Sequence, residues 1–424
     1  MKKLMLPKTG WRRNTSFLLS GQFISIFGSS LVQYAITWDL AIRTNSGIVA
    51  MLGFAFANVP QALMSIFGGW LADRFPRGAL INIPDMVTAM FSIGLAVGYA
   101  TNHASVMLVY TVLFVRSLAA GVQSPAVDSY LPSLTPTSHL MRVNSINGIL
   151  QSGITILAPV LSAALIGTFR MQSILIVDAI TALVGISLLL LIREAPAPLI
   201  NAGDRKVQRP SIMSDIREGL TYCRHHPIVG RTMVVFAICF ILCVAPIGMN
   251  PIFVNRNFTN ESLNLAWMTL RTATDKLALL ELMYGVGAIA GGLIMTVWGG
   301  FHRRFTSMGV AMSGLASANI LMGFSASSMV DSVWIFALSY TVTGFVAPLL
   351  LAPASTLIQE TVEASMLGRV FGLLNAVRTL SLPLGLSIIG PLADLIPIEW
   401  VYIGAGLLAL PVALWIMFTS AERG

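Results

Sequence analysis

Residues 173–192 read SILIVDAITALVGISLLLLI, twenty residues with one ionisable group, Asp178. A helix of about twenty apolar residues, at ~1.5 Å rise each, spans the ~30 Å hydrocarbon core of a bilayer. The run is too long for a strand and too uniformly apolar for a helix with a wet face. It predicts a membrane span. Runs of the same kind occur near 17–42, 47–72, 79–101, 104–127, 145–168, 232–254, 277–299, 305–326, 332–356, 367–389 and 399–418, giving twelve spans with 173–192. The expected fold class is an all-α membrane protein with twelve transmembrane helices in two six-helix halves.

Composition agrees. The 424-residue chain is 55% hydrophobic and 10% charged, against about 25% charged in soluble domains. Too little polar surface is left to coat a water-soluble globule. The net charge of +8 would suit nucleic acid only if the basic residues gathered on one surface. They sit instead in short clusters between apolar runs, so no nucleic-acid partner is expected.

Those clusters set the topology. With the N-terminus inside, 19 of the 26 Lys and Arg fall in cytoplasmic segments and 5 in outer ones, with Arg116 and Arg378 inside spans. The positive-inside bias therefore predicts both termini cytoplasmic. The basic N-terminus (Lys2, Lys3, Lys8, Arg12, Arg13) precedes an apolar stretch too long for a signal-peptide core, which makes it a retained first span. Cys239 and Cys243 share a helix face and, like Cys223, lack the neighbours of a metal site.

The chain divides into an N-terminal half over 1–192, a cytoplasmic linker over 193–231 and a C-terminal half over 232–424. Within the linker, Ser214–His226 reads either as an amphipathic helix on the inner surface or as plain solvated chain. A faint repeat relates the halves. Pro125-Ala126 closes the fourth span and Arg142-Val143 follows; Pro353-Ala354 closes the tenth and Arg369-Val370 follows.

Ionisable and polar residues inside spans are functional candidates. Arg116 lies near the middle of the fourth span, with Gln123 seven residues on and on the same face. Arg116 needs a partner or water at that depth, and a structural ion pair is one reading. Asp39 and Asp178 lie toward the outer ends of their spans, and Glu281 begins the eighth; these three have few obvious partners. Asp85 and Asp128 lie toward inner ends, where Asp73 and an ion-pair network with Arg74 or Arg77 would account for them. Burial disfavours a charged carboxylate, the property a proton-carrying acid needs. Asp39, Arg116, Asp178 and Glu281 are the proton-coupling candidates, Asp39 first among them. The stripe Gln22, Ser25, Ser29, Gln33 follows one face of the first span, and Asp39 lies off it with Gly28, Val32 and Ala35. Gln33, Tyr34, Trp38, Gln123, Asn250, Tyr340 and Thr343 are candidate lining for a cavity suited to a bulky amphiphile. Arg378 is expected to snorkel to the inner interface.

The loop after the second span, Gly69-Trp70-Leu71-Ala72-Asp73-Arg74-Phe75-Pro76-Arg77-Gly78, resembles the major facilitator superfamily pattern G-x-L-A-D-R-x-G-R-[KR]. Pro76 replaces the usual Gly, and Gly78 the usual basic residue. The resemblance implies a conformational latch of Gly69, Asp73, Arg74 and Arg77, with Asp85 and Asp128 beside it. It also implies a coupling role for Arg116. Ala158-Pro159-Val160-Leu161-Ser162-Ala163 is similar to the exporter pattern G-P-x-x-G-G, making Pro159 a helix-bending residue. Phe114-Val115-Arg116-Ser117, Ile176-Val177-Asp178 and Gly368-Arg369-Val370-Phe371-Gly372 resemble the macrolide-efflux branch, which also includes the enterobactin exporter.

The resemblance implies the major facilitator fold and a proton-coupled exporter of a hydrophobic drug or secondary metabolite. Such a protein works in the bacterial inner membrane as a monomer. It uses no cofactor beyond the proton gradient and needs only the bilayer and a small hydrophobic or amphiphilic substrate. The alternatives are a siderophore exporter, a lysolipid flippase and a non-transporting sensor. No metal-spaced His cluster, G-x-S-x-G or phosphate-binding Gly-Lys loop marks an enzyme.

Overall fold

The structure, a computed structural model, describes residues 10–72, 75–192, 221–244, 246–259, 263–265, 268–326, 332–363 and 366–418. Twelve helices are long and apolar enough to cross a membrane. They are α1 (Trp11–Thr44), α2 (Gly47–Ala72), α3 (Arg77–Ala100), α4 (Val106–Leu134), α5 (Thr137–Thr168), α6 (Met171–Leu190), α7 (Pro227–Asn257), α8 (Ala273–Trp298), α9 (Arg304–Phe324), α10 (Val333–Thr361), α11 (Leu367–Leu395) and α12 (Ile398–Phe418). A short antiparallel hairpin pairs β1 (Leu263–Leu265) with β2 (Met268–Leu270), Asn264 opposite Thr269, between α7 and α8.

All twelve expected spans are present, and several helices overrun their apolar runs. The fourth and tenth do not end at Pro125-Ala126 and Pro353-Ala354. They continue for two turns, to Leu134 and Thr361. Each proline removes one N–H from the helical ladder, a loss that neighbouring helices and local adjustment make tolerable in membrane helices. Ala126 and Ala354 are fully buried, so the small residue after each proline sits in a close contact.

The seventh span, expected as one helix, is broken. It is α-helical over Pro227–Cys239, widens into a π turn over Phe240–Val244, tightens to 3-10 geometry over Pro246–Met249 and resumes at Asn250–Asn257. Pro246 is the cause, because its ring excludes the carbonyl four residues back. Within the break, the Cys243 carbonyl accepts a 3.0 Å bond from Asn319 Nδ2 of α9.

Two helix starts carry side-chain caps from their own N-cap residues. Ser105 Oγ accepts from Leu108 N at the start of α4, and Thr272 and Asp275 bond reciprocally at the start of α8. The start of α2 is capped by a distant residue: Asp394, near the end of α11, accepts from Gly47 N at 2.7 Å, Ile48 N at 3.0 Å and Ser46 Oγ at 2.8 Å. Arg256 at the end of α7 joins it, reaching Asp394 at 3.0 Å and the Asn45 and Ala393 carbonyls.

Among the described residues, those up to Thr37 and from Phe56 to Ile192 form one compact unit, while Trp38–Ala55 and those from Thr221 onward form a second. In the first, α3 packs on α4 and α6; in the second, α9 packs on α10 and α12, the same pattern six helices later. Small residues allow these approaches. Gly21 of α1 and Gly185 of α6 bring backbone within reach of each other, and Ala89, Ala179 and Ala182 bury a contact between α3 and α6. The outward faces carry exposed Leu183, Val286, Leu293, Leu407 and Trp415, a surface that lipid tolerates and water does not.

Candidate functional site

The close packing of α1, α3, α4 and α6 puts their few polar side chains into one buried cluster. Asp178 of α6 is fully buried and ion-paired to Arg116 Nη1 of α4, whose side chain is 2% exposed. A buried pair is stable only if its remaining donors and acceptors are met. Here they nearly all are. Asp178 Oδ1 accepts from Ser29 Oγ of α1 at 2.7 Å, and Oδ2 from Ser92 Oγ of α3 at 2.6 Å. Arg116 Nη1 also donates to Ser92 Oγ, and Nη2 to the Ser29 carbonyl at 2.9 Å. Arg116 Nε alone is left unmatched.

Two helical turns away lies a second acid. Asp85 of α3 is 3% exposed, and its Oδ1 accepts from Ser25 Oγ at 2.7 Å and Gln123 Nε2 at 2.9 Å. Gln123 also donates to Gln22 Oε1 at 3.2 Å. Asp85 Oδ2 and Gln22 Nε2 are buried without partners. These positions correct two expectations. Asp178 has an arginine and two serines for company. Asp85 is held inside the helix bundle by Ser25 and Gln123 rather than in an edge network with Arg77. The stripe on the first span, Gln22, Ser25 and Ser29, points at Gln123, Asp85 and Asp178.

The second unit has its own acid. Tyr340 OH of α10 donates to Glu281 Oε1 of α8 at 3.2 Å, and the Tyr340 and Tyr284 rings lie 5.0 Å apart. Below the break in α7, Asn250 Oδ1 accepts from Tyr402 OH of α12 at 2.7 Å, leaving Asn250 Nδ2 buried without a partner. Thr343 turns its hydroxyl back to the Ser339 carbonyl of its own helix. Arg378 of α11 meets an aromatic ring. Its guanidinium lies 5.7 Å over the Phe240 ring, in the π turn of α7, where ring electrons stabilise a cation away from water.

The other candidates scatter. Asp39 is partly exposed and faces Arg43 at 3.9 Å, one turn on in the same helix. Gln33 Nε2 reaches the Ala57 carbonyl at 3.5 Å; Tyr34 is exposed and Trp38 buried. Asp128 is exposed on α4, and Arg77 begins α3. Pro159 lies inside a continuous α5, flanked by buried Ala158, Ser162 and Ala163. Gly69 is in α2; Asp73, Arg74 and the linker's 193–220, with most of the expected amphipathic helix, lie outside the described residues. Cys223, ahead of α7, is half-buried, and burial pushes its thiol above the usual range. Sequence reasoning missed Ser92. It lies seven residues after Asp85, hence on the same face of α3, and a lone hydroxyl so placed in an apolar run was the available signal.

Comparison with known proteins places this architecture. Residues 18–305 match the Major Facilitator Superfamily. The chain is 22% identical over 406 residues to macrolide efflux protein A of Streptococcus pyogenes, covering 95% of each. It is 24% identical over 401 residues to the uncharacterized MFS-type transporter YfiS of Bacillus subtilis, covering 94% of this chain and 91% of that one. A crystal structure of a POT family transporter in complex with a thioalcohol-conjugated peptide superposes with a TM-score of 0.72 at 14% identity, covering 95% of this chain and 96% of that one. Twelve membrane helices, the match over two thirds of the sequence and the shared fold lead to one statement: this chain is a multi-pass membrane transporter belonging to the Major Facilitator Superfamily.

Proposed function

We propose that the chain is a proton-coupled exporter of a bulky hydrophobic drug, such as a macrolide, working by alternating access in a bacterial inner membrane with both termini in the cytoplasm. The observation that carries this is the buried Arg116–Asp178 pair. Burying a carboxylate and a guanidinium costs several kcal/mol per ion before their attraction is counted. A protein that needed only stability would be served as well by apolar residues there. A pair that exchanges a proton for a conformational change has use for the expense. The cluster supports coupling through Arg116 and Asp178, with Asp85 and Gln123 beside them. The match to macrolide efflux protein A over nearly the whole chain supports the cargo class and the direction.

Everted membrane vesicles acidified inside by respiration provide the test. Vesicles holding this chain are expected to accumulate labelled erythromycin, and nigericin, which collapses the pH gradient, to abolish the accumulation. Accumulation that survives nigericin removes proton coupling. A labelled siderophore accumulating in erythromycin's place replaces the cargo.

A further inference from the structure

At the end of the second unit where α7 and α9 begin and α8 and α12 finish, two arginines are met in opposite ways. Arg304 of α9 has acceptors: its Nη2 donates to Glu360 Oε1 of α10 at 3.1 Å and its Nη1 to the Gly299 carbonyl at 3.4 Å. Arg231, the fifth residue of α7, has rings instead. Its guanidinium carbon lies 5.6 Å from the centre of the Trp415 ring on α12 and 6.0 Å from that of Phe305 on α9. Among the described residues no carboxylate pairs with it, and its Nη1 is buried without a hydrogen-bond partner. The side chain is still partly exposed, and Trp415 is 50% exposed on the outward face. Both rings sit within a turn of their helix ends, the depth at which tryptophan marks the boundary between hydrocarbon and headgroups. Trp298, the last residue of α8, is exposed at the same end.

Rings steady a guanidinium and leave its in-plane donors free. Donors held at a membrane boundary without an acceptor are costly until one arrives. The acceptor always at hand there is the phosphate of a lipid headgroup, whose paired oxygens match the planar fork. Surrounding charge selects among headgroups. Arg224, His225 and His226 lie exposed just ahead of α7 and Arg303 just ahead of α9. Against them, among the described residues, stand Glu360, already engaged by Arg304, and exposed Glu363. A headgroup of net negative charge is therefore favoured over one that also carries an ammonium. We propose that Arg231, backed by Trp415 and Phe305, binds the phosphate of an anionic phospholipid, in the cytoplasmic leaflet under the orientation given above. The site needs neither cargo nor proton and so goes beyond the exporter reading.

The test is native mass spectrometry of the purified protein in detergent, titrated with dioleoyl phosphatidylglycerol or dioleoyl phosphatidylcholine. The native chain is expected to bind a first phosphatidylglycerol about tenfold more tightly than phosphatidylcholine. Arg231→Gln is expected to lose that preference, since one bond to a charged group is worth about tenfold or more. Arg224→Gln removes the same charge from an exposed position at the same end and is expected to change affinity less than about threefold. Inorganic phosphate in large excess is expected to leave the lipid bound. A native chain without the preference, or one matched by Arg231→Gln, overturns the proposal. So does an equal loss in Arg224→Gln, the mark of a diffuse basic surface, while displacement by phosphate overturns lipid as the ligand. Should Arg231→Gln not fold, Trp415→Phe is expected to keep the preference and Trp415→Leu to lose it several-fold, and equal behaviour of those two overturns the proposal.

Discussion

Changing Asp178 to Asn separates the buried ion pair from its surroundings with the least loss of shape. The amide keeps the volume and an acceptor oxygen for the Ser29 or Ser92 hydroxyl. What it removes is the negative charge, leaving the Arg116 guanidinium 2% exposed and uncompensated. Breaking a buried pair from one side costs about 3–5 kcal/mol, because the survivor still pays its desolvation. Replacing both members costs less, since neither charge then remains. Equilibrium unfolding in mixed micelles is the assay, run on Asp178→Asn, Arg116→Gln and the double variant. Each single variant is expected to lose about 3–5 kcal/mol. The double variant is expected to lose well under the sum, with a coupling term of about 2 kcal/mol or more. Additive losses, or a single variant within about 1 kcal/mol of native, would refute the reasoning. In that case the pair interacts as weakly as a surface ion pair.

Three further outcomes follow from packing and bonding. A Cβ at Gly28 would land on the Thr181 side chain, so Gly28→Leu is expected to prise α1 from α6 and lower stability by about 1–3 kcal/mol or more, read as a fall in thermal midpoint. Asp394→Ala removes the carboxylate that caps α2 and is expected to cost about 1–2 kcal/mol, with faster amide exchange at Gly47 and Ile48; unchanged exchange there contradicts the cap. Asn319→Ala leaves the Cys243 carbonyl without its side-chain donor. It is expected to cost about 1–3 kcal/mol and to increase amide exchange around the π turn of α7.

The spans were legible because lipid imposes one strict demand. A segment that crosses must be helical and apolar for about twenty residues, and 173–192 meets it without help from neighbours. Helix ends were less legible, since beyond the hydrocarbon polar residues such as Arg12 and Ser138 continue a helix without any apolar signature. The break in α7 was hidden in a uniformly apolar run. Pro246 marked it, yet Pro159 sits in an α-helix that continues, so a proline alone does not tell a kink from a break. Arg116 and Asp178 were each legible as candidates, but their pairing was not. They lie 62 residues apart, and only the packing of α3 on both α4 and α6 brings them together. Asp39 stood first among acids with few obvious partners, yet Arg43, its neighbour one turn on, was in plain view.

The most direct test of the account asks whether cargo and proton share one cycle. Purified protein in a weakly buffered detergent solution is mixed with erythromycin while a pH indicator is followed. The native chain is expected to exchange protons with the medium on binding, and Asp178→Asn to exchange none while still binding the drug. Binding without proton exchange by the native chain, or equal exchange by the variant, would contradict a coupling role for the Arg116–Asp178 pair.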